Sequence, residues 1–141
     1  MEASGIPGWA AVSAPYPPGG ELELLNLVLA KHVLPKHLPK DIVVLSLRGA
    51  GKESYAGAAE LAGLKAVPFD PAKSYEEGTI RTSTVFKFKG MESHVVVLTD
   101  LDKLESPRDR RRAYVGMSRA KYALYVLGAK AVLPEITGES A

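Results

Sequence analysis

The sequence predicts an α/β fold: a mostly parallel sheet of about five strands with helices on both faces. Three observations carry this expectation. Two short apolar runs, Ile42–Leu45 and Val95–Leu98, show no polar alternation, as strands covered on both faces require. Strand-like and helix-like stretches alternate along the chain, which favours a parallel sheet with helical crossovers. The chain has 141 residues, 46% hydrophobic and 24% charged, enough for one ordinary core without metals or crosslinks.

The elements follow in order. Residues 1–20 carry Pro7, Pro15, Pro17, Pro18 and four glycines that interrupt any periodic run, so they read as an irregular lead-in, either an extended strand or a linker. Trp9 either packs back onto the domain or marks an interface. From Glu21, the residues Leu22, Leu25 and Leu29 fall on one helical face, and Pro35 ends that helix. Ile42–Leu45 is the first central strand. Small helix formers at 54–63 suggest a second helix ending at Gly63, followed by a strand over Lys65–Phe69. Thr79–Val85 is rich in β-branched residues and reads as a strand, Val95–Leu98 as another, and Tyr122–Leu127 as the last. Between these, Ser106-Pro107-Arg108-Asp109 has the form of a helix start, with a serine cap, proline in the first turn and an acid three residues on. The domain is thus expected over 21–130, with 131–141 as a tail.

Composition excludes several chemistries. There is no cysteine, hence no disulfide, thiolate nucleophile or cysteine-held metal. His32 and His37 straddle Pro35 and His94 stands apart, so no metal site is expected. The longest apolar runs are too short to span a bilayer, and the N-terminus lacks a basic-then-apolar leader, so no membrane partner and a cytoplasmic location are expected. The formal net charge of +2 argues for no partner by itself.

One segment imitates a phosphate-binding loop. Leu47-Arg48-Gly49-Ala50-Gly51-Lys52 follows an apolar strand, but Ser46 stands where the first glycine belongs and Glu53 where the magnesium-binding hydroxyl belongs. The segment therefore reads as a strand-to-helix turn, and an autonomous phosphate-loop ATPase is not expected.

The informative stretch is 79–128. Lys87, Lys89 and Gly90 follow a strand end, where ligands of open α/β sheets gather, although a solvated lysine pair is the plainer reading of that loop alone. Arg108, Arg110, Arg111 and Arg112 crowd the positive end of the next helix, which disfavours cations by a few tenths of a kcal/mol each unless something acidic compensates. Seven residues separate Arg112 from Arg119, which would place them about 10.5 Å apart on one helical face. Ala113, Met117 and Ala120 lie on the packable side, and Gly116 would cost about 1 kcal/mol relative to alanine unless close approach requires it.

Two motifs give this stretch a family likeness. T-V-F-K-F-K-G-M-E at 84–92 resembles motif V of superfamily 1 DNA helicases of the UvrD/Rep type, and R-R-A-Y-V-G-M-S-R-A-K at 111–121 resembles their motif VI. The resemblance spans about 21–128 and is strongest over 79–128. It implies a RecA-like three-layer fold, the second of two motor lobes that close around ATP. By that likeness Arg119 is the arginine finger on the γ-phosphate, Glu92 accepts from the ribose hydroxyl, and Gly90 lets the loop backbone approach the nucleotide. Thr84, Phe86 and Lys87 would face single-stranded DNA, and Arg112 would support motif VI. Phe86 departs from the histidine common in relatives; it cannot donate to phosphate but can stack on a base. No phosphate loop or magnesium-binding acid pair occurs within the 141 residues. ATP and Mg²⁺ are therefore expected only together with an N-terminal RecA-like lobe, and the chain alone should be inactive. The alternative from another class is a stand-alone, non-catalytic RecA-like module that binds protein or nucleic acid. The chain could be a fragment of a longer helicase or a complete product.

Overall fold

The fold is described from a computed structural model, over residues 10–17, 19–88, 90–102 and 106–129; for residues 10–13 only the backbone is considered. Trp9, Lys89 and the expected tail at 131–141 lie outside the described residues.

Seven strands form one sheet: β1 (Ala10–Tyr16), β2 (Ile42–Ser46), β3 (Glu60–Leu61), β4 (Leu64–Pro68), β5 (Thr79–Thr84), β6 (Ser93–Leu101) and β7 (Ala120–Ala129). Their spatial order is β1-β7-β6-β2-β5-β4-β3, and every pair is parallel except β3–β4. Helix α1 (Glu21–Val28) runs into a single π turn at Leu29–Val33 and ends ahead of Pro35; α2 covers Pro107–Met117.

The two apolar runs behave as their composition demands. All five residues of β2 are buried, and successive side chains go to opposite faces. Val44, Val95, Val97 and Tyr125 pack with Leu25, Leu29 and Val33 of the α1 segment. Val43, Leu45, Val96, Leu98 and Leu124 pack with Ala113 and Met117 of α2. The helices lie on both faces, so the α/β three-layer arrangement holds.

The strand number does not. Residues 10–16 of the lead-in form β1, paired with β7 from Ala10↔Ala123 to Tyr16↔Ala129. The sheet therefore starts at Ala10 rather than after residue 20. Pro15 is tolerated because β1 is an edge strand. The expected helix at 54–63 is also absent. Gly57 takes a positive φ of 81°, and Ala62 and Gly63 take 51° and 85°, a pair of left-handed residues that turns β3 back onto β4 as a two-residue hairpin. Ala62 adopts this conformation with its N–H held by Asn26 Oδ1 at 2.8 Å, a tie to α1.

The topology sets up a crevice. After β2 the chain moves toward β4; after β6 it moves the other way, to β7. The two strands are neighbours, so their C-terminal ends form a switch point of the kind where open sheets leave a cleft.

Candidate functional site

The motif residues fall into two groups. The first lies where β5 ends. Thr84 is 2% exposed, and its Oγ1 accepts from the Lys87 N–H at 3.1 Å, while its carbonyl accepts from the Phe88 N–H at 3.1 Å. Thr84, expected to face nucleic acid, instead holds the turn from inside. Val85 and Phe88 are buried anchors, with the Phe88 ring edge-on to Phe69 at 4.9 Å. Anchors at 85 and 88 leave Phe86 and Lys87 pointing outward: Phe86 is 48% exposed and Lys87 is exposed. The Arg112 guanidinium lies 4.7 Å from the Phe86 ring centroid. That contact gives Arg112 a partner other than the nucleotide and leaves one ring face with its cation already in place.

Helix α2 explains how Arg112 gets there. The Ser106 Oγ accepts from the Asp109 N–H at 3.1 Å, and the Asp109 carboxylate accepts from the Ser106 N–H at 3.3 Å, completing the capping box read from the sequence. Gly116 permits the helix to lie against the sheet, since a Cβ there would sit 2.9 Å from Leu98 Cδ1 and 3.1 Å from Val85 Cγ2. The helix ends at Met117, so Arg119 is not on the Arg112 face as helical spacing suggested; it occupies the link into β7, its N–H on the Gly116 carbonyl.

The second group forms at that link. The Ser93 N–H donates to the Arg119 carbonyl at 2.9 Å, which places Glu92 and Arg119 side by side where β6 and β7 begin. Glu92 is exposed. Arg119 is half-buried, and its Nε is buried with no hydrogen-bond partner among the described residues. A buried N–H of a permanent cation without an acceptor costs on the order of 1–3 kcal/mol. Gly90 sits just before, at φ +80° with nothing within 4 Å of a would-be Cβ. Its role is conformational: it turns the loop toward this edge.

A third set was not singled out by the motifs. At the crevice between β2 and β6, Arg48 pairs with Asp102 at 2.8 and 2.9 Å and with Glu21 at 2.8 Å, and approaches Asp100 at 3.8 Å. Asp100 is 2% exposed and takes φ +66°; its Oδ2 accepts from Ser46 Oγ at 2.6 Å and from the Ser54 N–H at 3.1 Å. The Tyr16 hydroxyl donates to Asp102 Oδ1 at 2.7 Å, tying β1 into the same network. Hydrogen bonding to Arg48 holds the Glu21 carboxyl below its usual range, and burial pushes the Tyr16 hydroxyl far above its ordinary value, helped by Asp102. A cavity of about 460 Å³ opens here, lined in part by Gly49 and Lys52 of the loop that imitates a phosphate site. That loop lacks the helix a phosphate loop feeds: 54–57 are turns, and the Gly51 N–H is already taken by Glu53 Oε1 at 2.6 Å. The reading as a strand-to-helix turn is corrected to a strand-to-turn connection, while its rejection as a phosphate loop agrees with this geometry. The signal for the network was an aspartate closing an apolar strand, at Thr99-Asp100.

Comparison with known proteins bears on these groups. Residues 79–127 match the family model of the UvrD-like helicase C-terminal domain. Over this stretch the chain is similar to a UvrD-like helicase C-terminal domain. The stretch contains both groups, from β5 through β7. Among solved structures, the C-terminal domain of a possible DNA helicase from Lactobacillus plantarum WCFS1 matches with a TM-score of 0.60 and 16% identity, over 86% of this chain and 74% of that one. At that identity the match establishes a shared fold. No curated protein matches. Among the described residues, no helix is long and apolar enough to cross a membrane, and no group of three or more histidines or acids could hold a metal ion.

Proposed function

We propose that this chain is the second motor lobe of an ATP-dependent superfamily 1 DNA helicase, working in the cytoplasm with an N-terminal RecA-like lobe. The observation that supports this most is the placement of Glu92 and Arg119 next to each other at one edge by the Ser93–Arg119 backbone bond. The Arg119 side chain is anchored by its buried Nε yet only half-buried overall, so its remaining part is available to an anion delivered from outside the lobe. Arg119 serves as the finger that neutralises charge on the transferring phosphoryl group, an effect worth about 10³–10⁵ in rate. Glu92 accepts from a ribose hydroxyl, and Gly90 keeps the approach open. Mg²⁺ accompanies the triphosphate and would be held by the partner lobe.

Single-stranded DNA runs over the other group. Phe86 offers a ring face for stacking, and Lys87 and Arg112 bring positive charge beside it. Thr84 contributes by fixing the turn. The loop and helix α2, which leads into the link bearing Arg119, touch directly through Phe86 and Arg112, so strand position and nucleotide state have a physical connection.

The test is complementation. The chain alone should turn over no ATP above background, and mixing it with its cognate phosphate-loop lobe should restore DNA-stimulated hydrolysis. Turnover by the chain alone that disappears on Lys52→Ala would refute the proposal, because it would make the loop at 47–52 a working phosphate site.

A further inference from the structure

Beside the Glu92–Arg119 edge lies a cluster of rings that neither group uses. His94 stands two residues past Glu92 on β6, and Tyr122 three past Arg119 on β7. The two rings are stacked, with centroids 4.9 Å apart and planes 7° from parallel. His37, from the loop after the π turn, meets Tyr122 edge-on at 6.0 Å and Tyr125 at 6.1 Å. The Tyr125 hydroxyl lies 3.3 Å from His37 Nε2. Burial lowers the His37 pKa, with His94 and Lys36 adding to the effect, and the Tyr125 hydroxyl beside it also donates to the His32 carbonyl at 3.4 Å. The inner end of the cluster is thereby tied down.

The outer end is open. Tyr122 is 56% exposed, His94 is exposed, and Lys121 is exposed between Arg119 and Tyr122. Stacked, exposed rings, with Lys121 on the same strand and Arg119 just before it, offer a π-face of the kind on which any base can stack. The rings are already ordered against each other, so a third ring extends the stack without freezing new rotamers. Two to three residues of strand separate this surface from Glu92 and Arg119, roughly 7–10 Å. That span is comparable with the reach from base to phosphate in a nucleotide.

We propose that the Tyr122–His94 stack is a platform for a nucleobase, next to the ribose and phosphate contacts assigned to Glu92 and Arg119. The inference rests on that assignment of the edge. The base is that of a free nucleotide, since the single strand is assigned to the Phe86–Lys87 group.

The test is a magnetic resonance titration of the isotope-labelled chain, assembled with its unlabelled phosphate-loop lobe, with three probes: a non-hydrolysable ATP analogue, inorganic tripolyphosphate and a short oligothymidylate. The ATP analogue should move the His94 and Tyr122 ring signals upfield together with the Arg119 guanidinium signals. Tripolyphosphate should move the Arg119 signals alone. Tyr122→Ala should weaken binding of the ATP analogue about fivefold to a hundredfold while leaving tripolyphosphate unchanged, and Tyr122→Phe should restore it. Ring signals that respond to the oligonucleotide and not to the ATP analogue would overturn the assignment of the base to a free nucleotide. Ring signals unmoved by all probes while Arg119 responds would overturn the platform and leave the edge assignment standing. If Arg119 is also silent, the edge assignment falls as well.

Discussion

Replacing Arg48 with methionine removes the cation from the crevice network while keeping an unbranched chain of similar reach. The loss has three parts. The contact to Asp102 involves a carboxylate 42% exposed and an arginine 27% exposed, so solvent screening leaves it at about 0.5–1 kcal/mol. The contact to Glu21, at 2.8 Å and less exposed, is worth about 1 kcal/mol. Asp100 then remains buried without its nearest cation, adding roughly another 1 kcal/mol. The total is about 3 kcal/mol, which at a urea slope of about 2 kcal/mol/M moves the unfolding midpoint down by about 1.5 M. The sign of the pH dependence follows from Glu21, whose folded pKa is depressed by Arg48. Its stabilisation is present above the ordinary carboxylate range and is lost as pH falls through the folded value. The gap between wild type and Arg48→Met should therefore narrow in acid. Urea titrations at neutral pH and near pH 3 test this. A midpoint shift below about 0.4 M at neutral pH, or one that is the same at both pH values, would refute the reasoning.

Two further outcomes follow from the packing and the buried phenol. Gly116→Ala gains about 1 kcal/mol of helix propensity but drives a Cβ to 2.9 Å from Leu98, and overpacking of about 1–3 kcal/mol should leave a net loss in thermal melts; a stabilised variant would show that α2 can lift off the sheet freely. Tyr16 has its folded pKa raised by burial and Asp102, so its contribution is complete below the ordinary tyrosine value and falls away as pH rises past about 10. Tyr16→Phe should flatten that alkaline loss, and an unchanged slope would mean that β1 is not held through this hydroxyl.

The physical reasons for what the sequence disclosed differ by element. Ile42–Leu45 and Val95–Leu98 are apolar at every position because each residue has a helix-covered face to fill, so the pattern names both strand and layer. The edge strand β1 carries no such pattern. It is covered less, its prolines and flanking glycines resemble a linker, and only pairing with β7 defines it. At 54–63, alanines favour a helix locally, but the left-handed Ala62–Gly63 turn, pinned by Asn26, prevails.

The candidate site divides the same way. Gly90 and Glu92 sit in one short motif and Arg119 in another, and a backbone bond between Ser93 and Arg119 brings the two motifs together. Phe86 and Lys87 are outward because Val85 and Phe88 are anchors, which local spacing hints at. The burial of Thr84 depends on strands far away in sequence, which local spacing does not show. The Arg48 network joins residues 27 to 86 positions apart, of which local sequence flags only Asp100 at the end of an apolar run, and the ring cluster joins His37 to Tyr125 across 88, which no local pattern encodes.

The central claim is that Arg119 reaches a phosphate held by another lobe. Single-turnover ATP hydrolysis by the assembled pair of lobes, with wild-type chain and with Arg119→Ala, tests it most directly. The account predicts a fall of about 10³–10⁵ in the rate of the chemical step, with nucleotide affinity within a few-fold of wild type. A variant that hydrolyses ATP at the wild-type rate would contradict it.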